Sequence, residues 1–310
     1  MNRTAIAAAV CTVCVVVPGP AQGVPAAPAA KAQAELVDEL VARMVAAEKA
    51  LKSVELHLAT SGTLGGGAFV STKGRLRVLR GTQAALHQRF EFTFDDGIRG
   101  SSESAQTASG ILWFAEDPAF GPTFVQIDSK LVADLDWAGE VLGRDDLPGM
   151  RDRRTSAPLG SALLAHAHAH FQLAATAGER AGEAGTWLDG PRKKGLDVED
   201  PELPVADAIK LFVRAKDQVL LEVRHLQADK VVQQMIVEAV HIDPAFGPEA
   251  FEVDGRGAAL KPVAQHQALA DTIEQTLRQA EAKRLRELEA KQAKDPAAKD
   301  EKPEVRPSRR

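Results

Sequence analysis

Ile209, Leu211 and Val213 alternate with Lys210, Phe212 and Arg214, and after the turn Lys216-Asp217-Gln218 a second alternation runs through Val219, Leu221 and Val223. A period of two is the mark of a strand with one buried face. A third run, Val231 to Ile242, ends at Asp243-Pro244, where proline cannot donate to a ladder. Ala208 to Asp254 therefore predicts three consecutive antiparallel strands. The third is apolar on both parities, so a cover of helix or ligand is expected on the face that an antiparallel sheet usually leaves wet.

Further strands repeat the pattern. Val54, Leu56 and Leu58 alternate with Glu55, His57 and Ala59, and the glycine run Gly65-Gly66-Gly67 makes the next turn. In Gly74 to Arg80, Leu76 and Val78 share a parity with Arg80, which places that arginine on the apolar side. The clearest alternation sets Leu86, Phe90, Phe92 and Phe94 against His87, Arg89, Glu91, Thr93 and Asp95. Asp95-Asp96-Gly97 is a hairpin signal, and Ser109-Gly110 leads into Ile111 to Phe114. The Ser-rich stretch between them, Gly97 to Ser109, reads as a long loop. A hexapeptide, Asp117 to Pro122, recurs as Asp243 to Pro248, each copy between an apolar run and a short strand, Phe124 to Ile127 and Phe251 to Val253. Proline accounts for both as turns.

Helical periodicity appears at four places. Leu36, Val37, Leu40, Val41, Met44, Val45 and Leu51 form an amphipathic stripe of about four turns. Leu131 to Leu142 and Pro158 to His170 follow, with a charged loop from Arg144 to Arg154 between them. Phe171 to Ala175 and Thr186 to Leu188 return to strand character, and Gly190 to Leu203 reads as a surface loop. After Pro262 a thin stripe, Val263, Leu269, Ile273 and Leu277, continues into a charged helix.

The ends have their own compositions. Arg3, the apolar run Ala5 to Val17 and Ala21-Gln22-Gly23 read as a secretory signal, with an apolar stretch short of the roughly 20 residues that span a bilayer. Cys11 and Cys14 are the two cysteines, so the exported chain would carry no disulfide. The net charge is −5, yet residues 283–310 hold ten Lys/Arg against six Asp/Glu. An acidic body with a basic tail argues against nucleic acid as a partner. The expected organisation is a signal over 1–23, a flexible lead over 24–34, one domain over 35–255, a helical extension over 256–292 and a disordered charged tail over 293–310.

No reaction centre emerges. His166, His168 and His170 would share one face on a strand, but Ala162 to Ala165 favours helix, where only His166 and His170 align. They read as a solvated helix end, not as a zinc set. Asp95-Asp96 and Asp145-Asp146 sit in turns, and no Gly-x-Ser-x-Gly, phosphate loop or His-Glu-x-x-His occurs. Neither a metal nor another cofactor is expected, and the chain does not read as an enzyme. A transmembrane barrel is disfavoured by the helices and by the absence of tyrosine for interfacial girdles.

The order of elements resembles the LolA-like superfamily of periplasmic lipoprotein carriers and outer-membrane lipoprotein-sorting proteins. The resemblance rests on the helix Leu36 to Leu51 followed by Val54 to Leu64, on Gly74 to Arg80, on Ser109 to Phe114, and on Ile236 to Val253 with its Pro-then-Phe ending. It covers about residues 35–255. The Gly97 to Ser109 loop, the repeated hexapeptide and the basic tail depart from the family pattern. The resemblance implies an α+β fold: an unclosed, strongly bent antiparallel β-barrel, a half-barrel, covered by α-helices that act as a lid. It also implies a monomer in the periplasm that binds the acyl chains of lipoproteins or other lipids and passes them between membrane donor and acceptor proteins. Arg80 takes the place of a family arginine that holds the lid closed.

The apolar cavity would be lined by Leu56, Leu58, Leu76, Val78, Phe90, Phe92, Phe94, Leu211, Val213, Leu221 and Val223. The competing expectation is a periplasmic sensor or interaction protein in which the same face is filled core and the basic tail meets anionic lipid or an acidic partner.

Overall fold

The computed structural model describes residues 28–63, 69–118, 121–143, 158–194 and 206–294. The signal segment, the Gly65-Gly66-Gly67 turn, the Asp145-Asp146 pair and the tail beyond 294 lie outside them. Helix α1 (Pro28–Ala50) precedes six strands: β1 (Ser53–Thr63), β2 (Phe69–Leu79), β3 (Ala85–Phe94), β4 (Arg99–Thr107), β5 (Gly110–Asp117) and β6 (Gly121–Asp128). Helices α2 (Ser129–Leu142) and α3 (Ser161–His170) follow. Next come β7 (Ala174–Arg180), β8 (Glu183–Pro191), β9 (Ala208–Arg214), β10 (Leu220–Gln227) and β11 (Lys230–Ile242), a 3₁₀ turn at Pro248–Phe251, the short β12 (Lys261–Pro262) and α4 (Gln267–Lys294).

The twelve strands described form one sheet in the order β12-β6-β5-β4-β3-β2-β1-β11-β10-β9-β8-β7. Two meanders, β1 to β6 and β7 to β11, meet where β1 pairs antiparallel with β11. In contrast, β12 runs parallel to its neighbour, β6. Among the described residues, hydrogen bonds do not close the sheet. The fold is the α+β architecture expected, an open, bent antiparallel sheet covered by helices.

Cross-strand register identifies one face that is apolar on both sides of β4. Leu188 opposes Leu211, Leu211 opposes Val223, Val223 opposes Met235, Leu58 opposes Val237, Val54 opposes Val78 and Val78 opposes Leu86. At the far side, Ile111 opposes Ile127. Helices α1 to α4 pack on this face. Val37, Leu40 and Met44, spaced three and four apart on α1, join Leu164 and Ala167 of α3 over Leu188, Leu211, Val213 and Val223. Leu131, Val132 and Leu135 of α2 join Val263 and Ile273 over Ile111, Val125 and Ile127. The thin stripe after Pro262 thus enters the same hydrophobic layer as the sheet.

Several expectations are corrected. The helix begins at Pro28 and not near Glu35, so residues 28–34 are not a flexible lead; Gln33 on its first turns accepts a hydrogen bond from the Ala175 N–H at 2.9 Å. Leu36, counted in the apolar stripe, is 47% exposed. The stretch read as a Ser-rich loop is β4, paired along its length with β3 and β5, with Ser101 to Gln106 buried without interruption. Hydroxyl and amide side chains lower hydropathy without preventing burial when the backbone of the strand is paired on both sides. The hairpin β7–β8 is not legible in the sequence because Ala174 to Arg180 carries little apolar patterning; left-handed Ala181 and Gly182, at φ 50° and 82°, turn it in the sense hairpins favour. Phe251 to Val253 is not a strand, since a 3₁₀ turn covers Pro248–Phe251.

The repeated hexapeptide serves two purposes. Its first copy joins β5 to β6 through paired Asp117 and Gly121. In the second, Asp243 ends β11 in the left-handed region at φ 51°, and its carboxylate accepts the N–H groups of Lys52 and Ser53 at 2.8 and 3.1 Å. These two bonds hold that carboxyl below its ordinary value, against a smaller upward push from burial. The chain from there to Leu260 crosses the second face of the sheet, where the Phe246 ring lies 5.7 Å from the Arg77 guanidinium and the Phe114 ring 5.1 Å from that of Arg256.

Two phenylalanines of the apolar face lie over glycines on neighbouring strands. A Cβ on Gly74 would stand 2.1 Å from Phe90 Cδ1 and 2.5 Å from the Arg89 carbonyl oxygen, and one on Gly100 would stand 2.3 Å from Phe92 Cζ. Gly74→Ala is expected to lower unfolding stability by about 2 kcal/mol, because the ring and a paired strand must both shift. Urea denaturation checks this; a change within error would mean that Phe90 moves aside freely.

Candidate functional site

The apolar face under α1 and α3 is the surface on which the sequence places a binding site. Nine of the eleven residues expected to line it are buried: Leu56, Leu58, Val78, Phe90, Phe92, Leu211, Val213, Leu221 and Val223. Leu76 and Phe94 are half-buried. They do not form one group. Leu211, Val213 and Val223 pack beneath α1 and α3, whereas Leu56, Leu58, Val78, Phe90 and Leu221 join a second cluster with Leu51, Leu159 and Phe212. A bulge between Leu220 and Glu222 shifts the register, so that Leu220, not Leu221, opposes Val213. Simple alternation could not foresee that step.

Phe92 meets Phe94 edge to face at 5.6 Å and opposes Thr72 on β2. The face around it turns polar. Gln88 opposes Ser104, Phe90 opposes Ser102 and Leu86 opposes Gln106 across the β3–β4 ladder. Ser102 accepts the Trp113 indole N–H at 3.2 Å. Thr72 Oγ1 and Ser104 Oγ are buried and have no hydrogen-bond partner among the described residues. A buried hydroxyl without a partner costs about 1–3 kcal/mol, so this part of the face suits a guest that brings polar atoms beside an apolar body. Reading β4 as a loop hid these residues; two hairpin signals twelve residues apart, Gly97 and Ser109, were the available sign of a strand between them.

One buried side chain adds polar bonds to the apolar contact between α1 and α3. Glu48 on α1 is 4% exposed, and its Oε1 accepts the N–H groups of Leu159 and Ser161 at 3.0 and 3.1 Å while Oε2 accepts the Ser161 hydroxyl. Gly160, the N-cap of α3, supplies no side-chain cap of its own. A carboxylate from another helix fills that role at the positive end of the helix dipole. Polar bonds thus join α1 to the start of α3 beside their apolar contacts, while the Leu220 N–H donates to the Leu159 carbonyl at 2.9 Å and ties that same end of α3 to β10.

Arg80, expected to gate a lid, stands one residue beyond β2, half-buried, with its backbone N–H donating to the Lys52 carbonyl at 2.9 Å. That bond ties the end of β2 to the link between α1 and β1.

The three histidines lie on a helix, as the alanines around them implied, but they are not a solvated end. His166 is 5% exposed, its ring 4.4 Å from that of His170. His225 on β10 faces the same region, 6.3 Å from the Phe171 ring. Burial first, then the nearby His166 and Arg192, push His225 down to about 4. His168 approaches Asp38 of α1 at 3.4 Å and is also lowered by burial and by Lys193, against the opposing pull of Asp38. Titratable groups therefore sit at the seam between cover and sheet. Among the described residues, no helix is long and apolar enough to cross a membrane.

No protein-family model matches the sequence, and no curated sequence matches it. Solved structures similar to it include an uncharacterised conserved protein from Thermus thermophilus, at 8% identity and TM-score 0.37, covering 74% of this chain and 98% of that one. A second is MucB, at 11% identity and TM-score 0.38, covering 71% of this chain and 63% of MucB. A third is an outer membrane lipoprotein-sorting protein domain from Vibrio parahaemolyticus, at 9% identity and TM-score 0.28, covering 71% of this chain and 97% of that domain.

Proposed function

We propose that this protein is a non-enzymatic periplasmic carrier, exported by its N-terminal signal, that binds acyl chains of lipoproteins or other lipids and moves them between a membrane donor and an acceptor. The observation that supports it is the apolar face of an open sheet roofed by helices that clasp one another through Glu48. Where α1 and α3 meet the sheet through apolar side chains, those contacts can be exchanged for a guest hydrocarbon at little net change in burial. Each methylene buried contributes about 0.8 kcal/mol, so one long acyl chain supplies roughly 10 kcal/mol before the entropy of ordering is subtracted. Leu56, Leu58, Leu76, Val78, Phe90, Phe92, Phe94, Leu211, Val213, Leu221 and Val223 would meet the chain, Thr72 and Ser104 its polar end, and Arg80 would govern opening. The working unit is a monomer.

A second reading is favoured by the same burial figures: with nine of the eleven residues already covered, the face is a filled core and the protein is a periplasmic sensor or interaction module.

Extraction of the purified mature protein for mass spectrometry separates the two. Co-purifying acyl species and saturable binding of a fluorescent fatty acid are expected for the carrier; their joint absence overturns it. Phe92→Asp is expected to abolish fatty-acid binding while leaving the far-ultraviolet circular dichroism unchanged. If that variant unfolds, Phe92→Ala decides by the same binding assay, and undiminished binding by it would remove Phe92 from the site.

A further inference from the structure

The second face of the sheet carries a cluster that the carrier reading does not use. Glu55 and His57 sit two apart on β1, on the parity opposite Val54 and Leu56, and His241 on β11 is the direct cross-strand partner of Glu55. One carboxylate oxygen and one ring nitrogen from each histidine all lie within 4.8 Å of one another. The His57 and His241 rings stand 6.0 Å apart at 73°, and His57 Nε2 is 2.9 Å from Glu55 Oε1. From these positions we infer a binding site for a divalent transition metal of the zinc class, with Glu55, His57 and His241 as ligands and the remaining coordination open to solvent.

The geometry is close to what such an ion requires. Zinc bonds nitrogen and carboxylate oxygen at about 2.0–2.2 Å, which puts tetrahedral ligand atoms roughly 3.4 Å apart. The three ligand atoms, within 4.8 Å of one another, have to draw together by about an ångström to reach that spacing. His241 is exposed and His57 and Glu55 are half-buried, so an ion can enter from outside. The carboxylate is already oriented: Arg77 Nε donates to Glu55 Oε2 at 2.5 Å, and Arg77 is held in turn by the Ala250 carbonyl at 3.2 Å. This leaves Oε1 directed at the histidines, the way outer partners commonly aim a ligand. Burial raises the Glu55 carboxyl, yet the bonds from Arg77 and His57 and the charges of Arg77 and Arg75 together hold it below its ordinary value. Arg75 and Arg77 also repel any cation. That repulsion selects against calcium and magnesium, which rely on charge and oxygen donors, and in favour of ions that bond imidazole strongly.

The position suggests what such an ion would do. Among the described residues, β1 and β11 form the only ladder between the two meanders, and the register slips there between His57 and Leu58. Ligands from both strands would fasten this irregular ladder.

Titration of the chelator-treated full-length mature protein with Zn²⁺ by calorimetry tests the site, with Co²⁺ absorption as a spectroscopic probe. The expected result is one saturable equivalent. His57→Ala and His241→Ala should each weaken it at least about tenfold, and His168→Ala, on α3, should leave it unchanged. Zn²⁺ should raise the melting temperature of the native protein and not of His241→Ala. Protons compete with the metal for the imidazole nitrogens, so binding should weaken on acidification. Absence of saturable binding, or binding that survives His241→Ala while responding to His168→Ala, would overturn the assignment. His241 is exposed, so its replacement keeps the fold available for the measurement.

Discussion

Replacing Glu48 by alanine is expected to destabilise the protein by about 3 kcal/mol or more, because two buried N–H groups and a hydroxyl lose a charged acceptor at once. The Leu159 and Ser161 amides have Glu48 as their partner at 3.0 and 3.1 Å, and the side chain is 4% exposed, so water cannot readily replace it. Helix α3 should fray first, since its N-cap Gly160 offers nothing in exchange. Hydrogen exchange at Leu164 and Ala167 should accelerate more than exchange in β1 or β2. Glu48→Gln, which keeps one acceptor oxygen, should recover part of the loss. In the carrier reading the alanine variant also removes the polar link between α1 and α3, leaving their apolar contacts, so fatty-acid release should quicken. Equal protection of α3 in the native and alanine proteins would show that the clasp contributes nothing.

Acid should be the second large perturbation. His225 is pushed down to about 4, mainly by burial and then by His166 and Arg192, against an ordinary value of 6.5. A base whose folded pKa is depressed binds fewer protons in the native state than in the unfolded one. Stability from this source is therefore complete above about 6.5 and is lost as pH falls from there to about 4, where the total reaches roughly 3 kcal/mol. His168, lowered by burial and by Lys193 against Asp38, adds to the loss in the same direction. His225→Gln should flatten the acid limb of a stability–pH profile measured by urea denaturation. Parallel profiles for the native and variant proteins would exclude His225 as the source. Because His166 lies on α3 and His225 on β10, this acid response falls at the contact between cover and sheet.

Much of the framework could be read before any coordinates. The alternation at Ile209, Leu211 and Val213, and at Leu86, Phe90 and Phe92, identified strands and their buried parity because side-chain direction in a strand is strictly periodic. The stripe ending at Leu277 was legible for the same reason at helical period, and it packs where the stripe would have it. What failed was local in a different way. β4 was hidden because Ser101, Ser102, Ser104 and Gln106 look like loop residues, yet all are buried between two partner strands. The register slip at Leu220 and the hairpin at Ala181 likewise follow from strand pairing, which leaves little trace in hydropathy.

The two candidate sites divide along the same line. The parity of most apolar residues from Leu56 to Val223 could be read from a period of two, but the bulge at Leu221 breaks that period and the residues fall into two clusters. Glu48 reaching the start of α3, His225 beside His166, and His241 beside Glu55 are separated by more than fifty residues in each case and carry no shared pattern. Local periodicity and hydropathy were enough to say which residues of most strands and helices turn inward, β4 excepted. Which of those residues meet depends on strand order and helix docking, because backbone pairing brings distant segments together whatever side chains they carry.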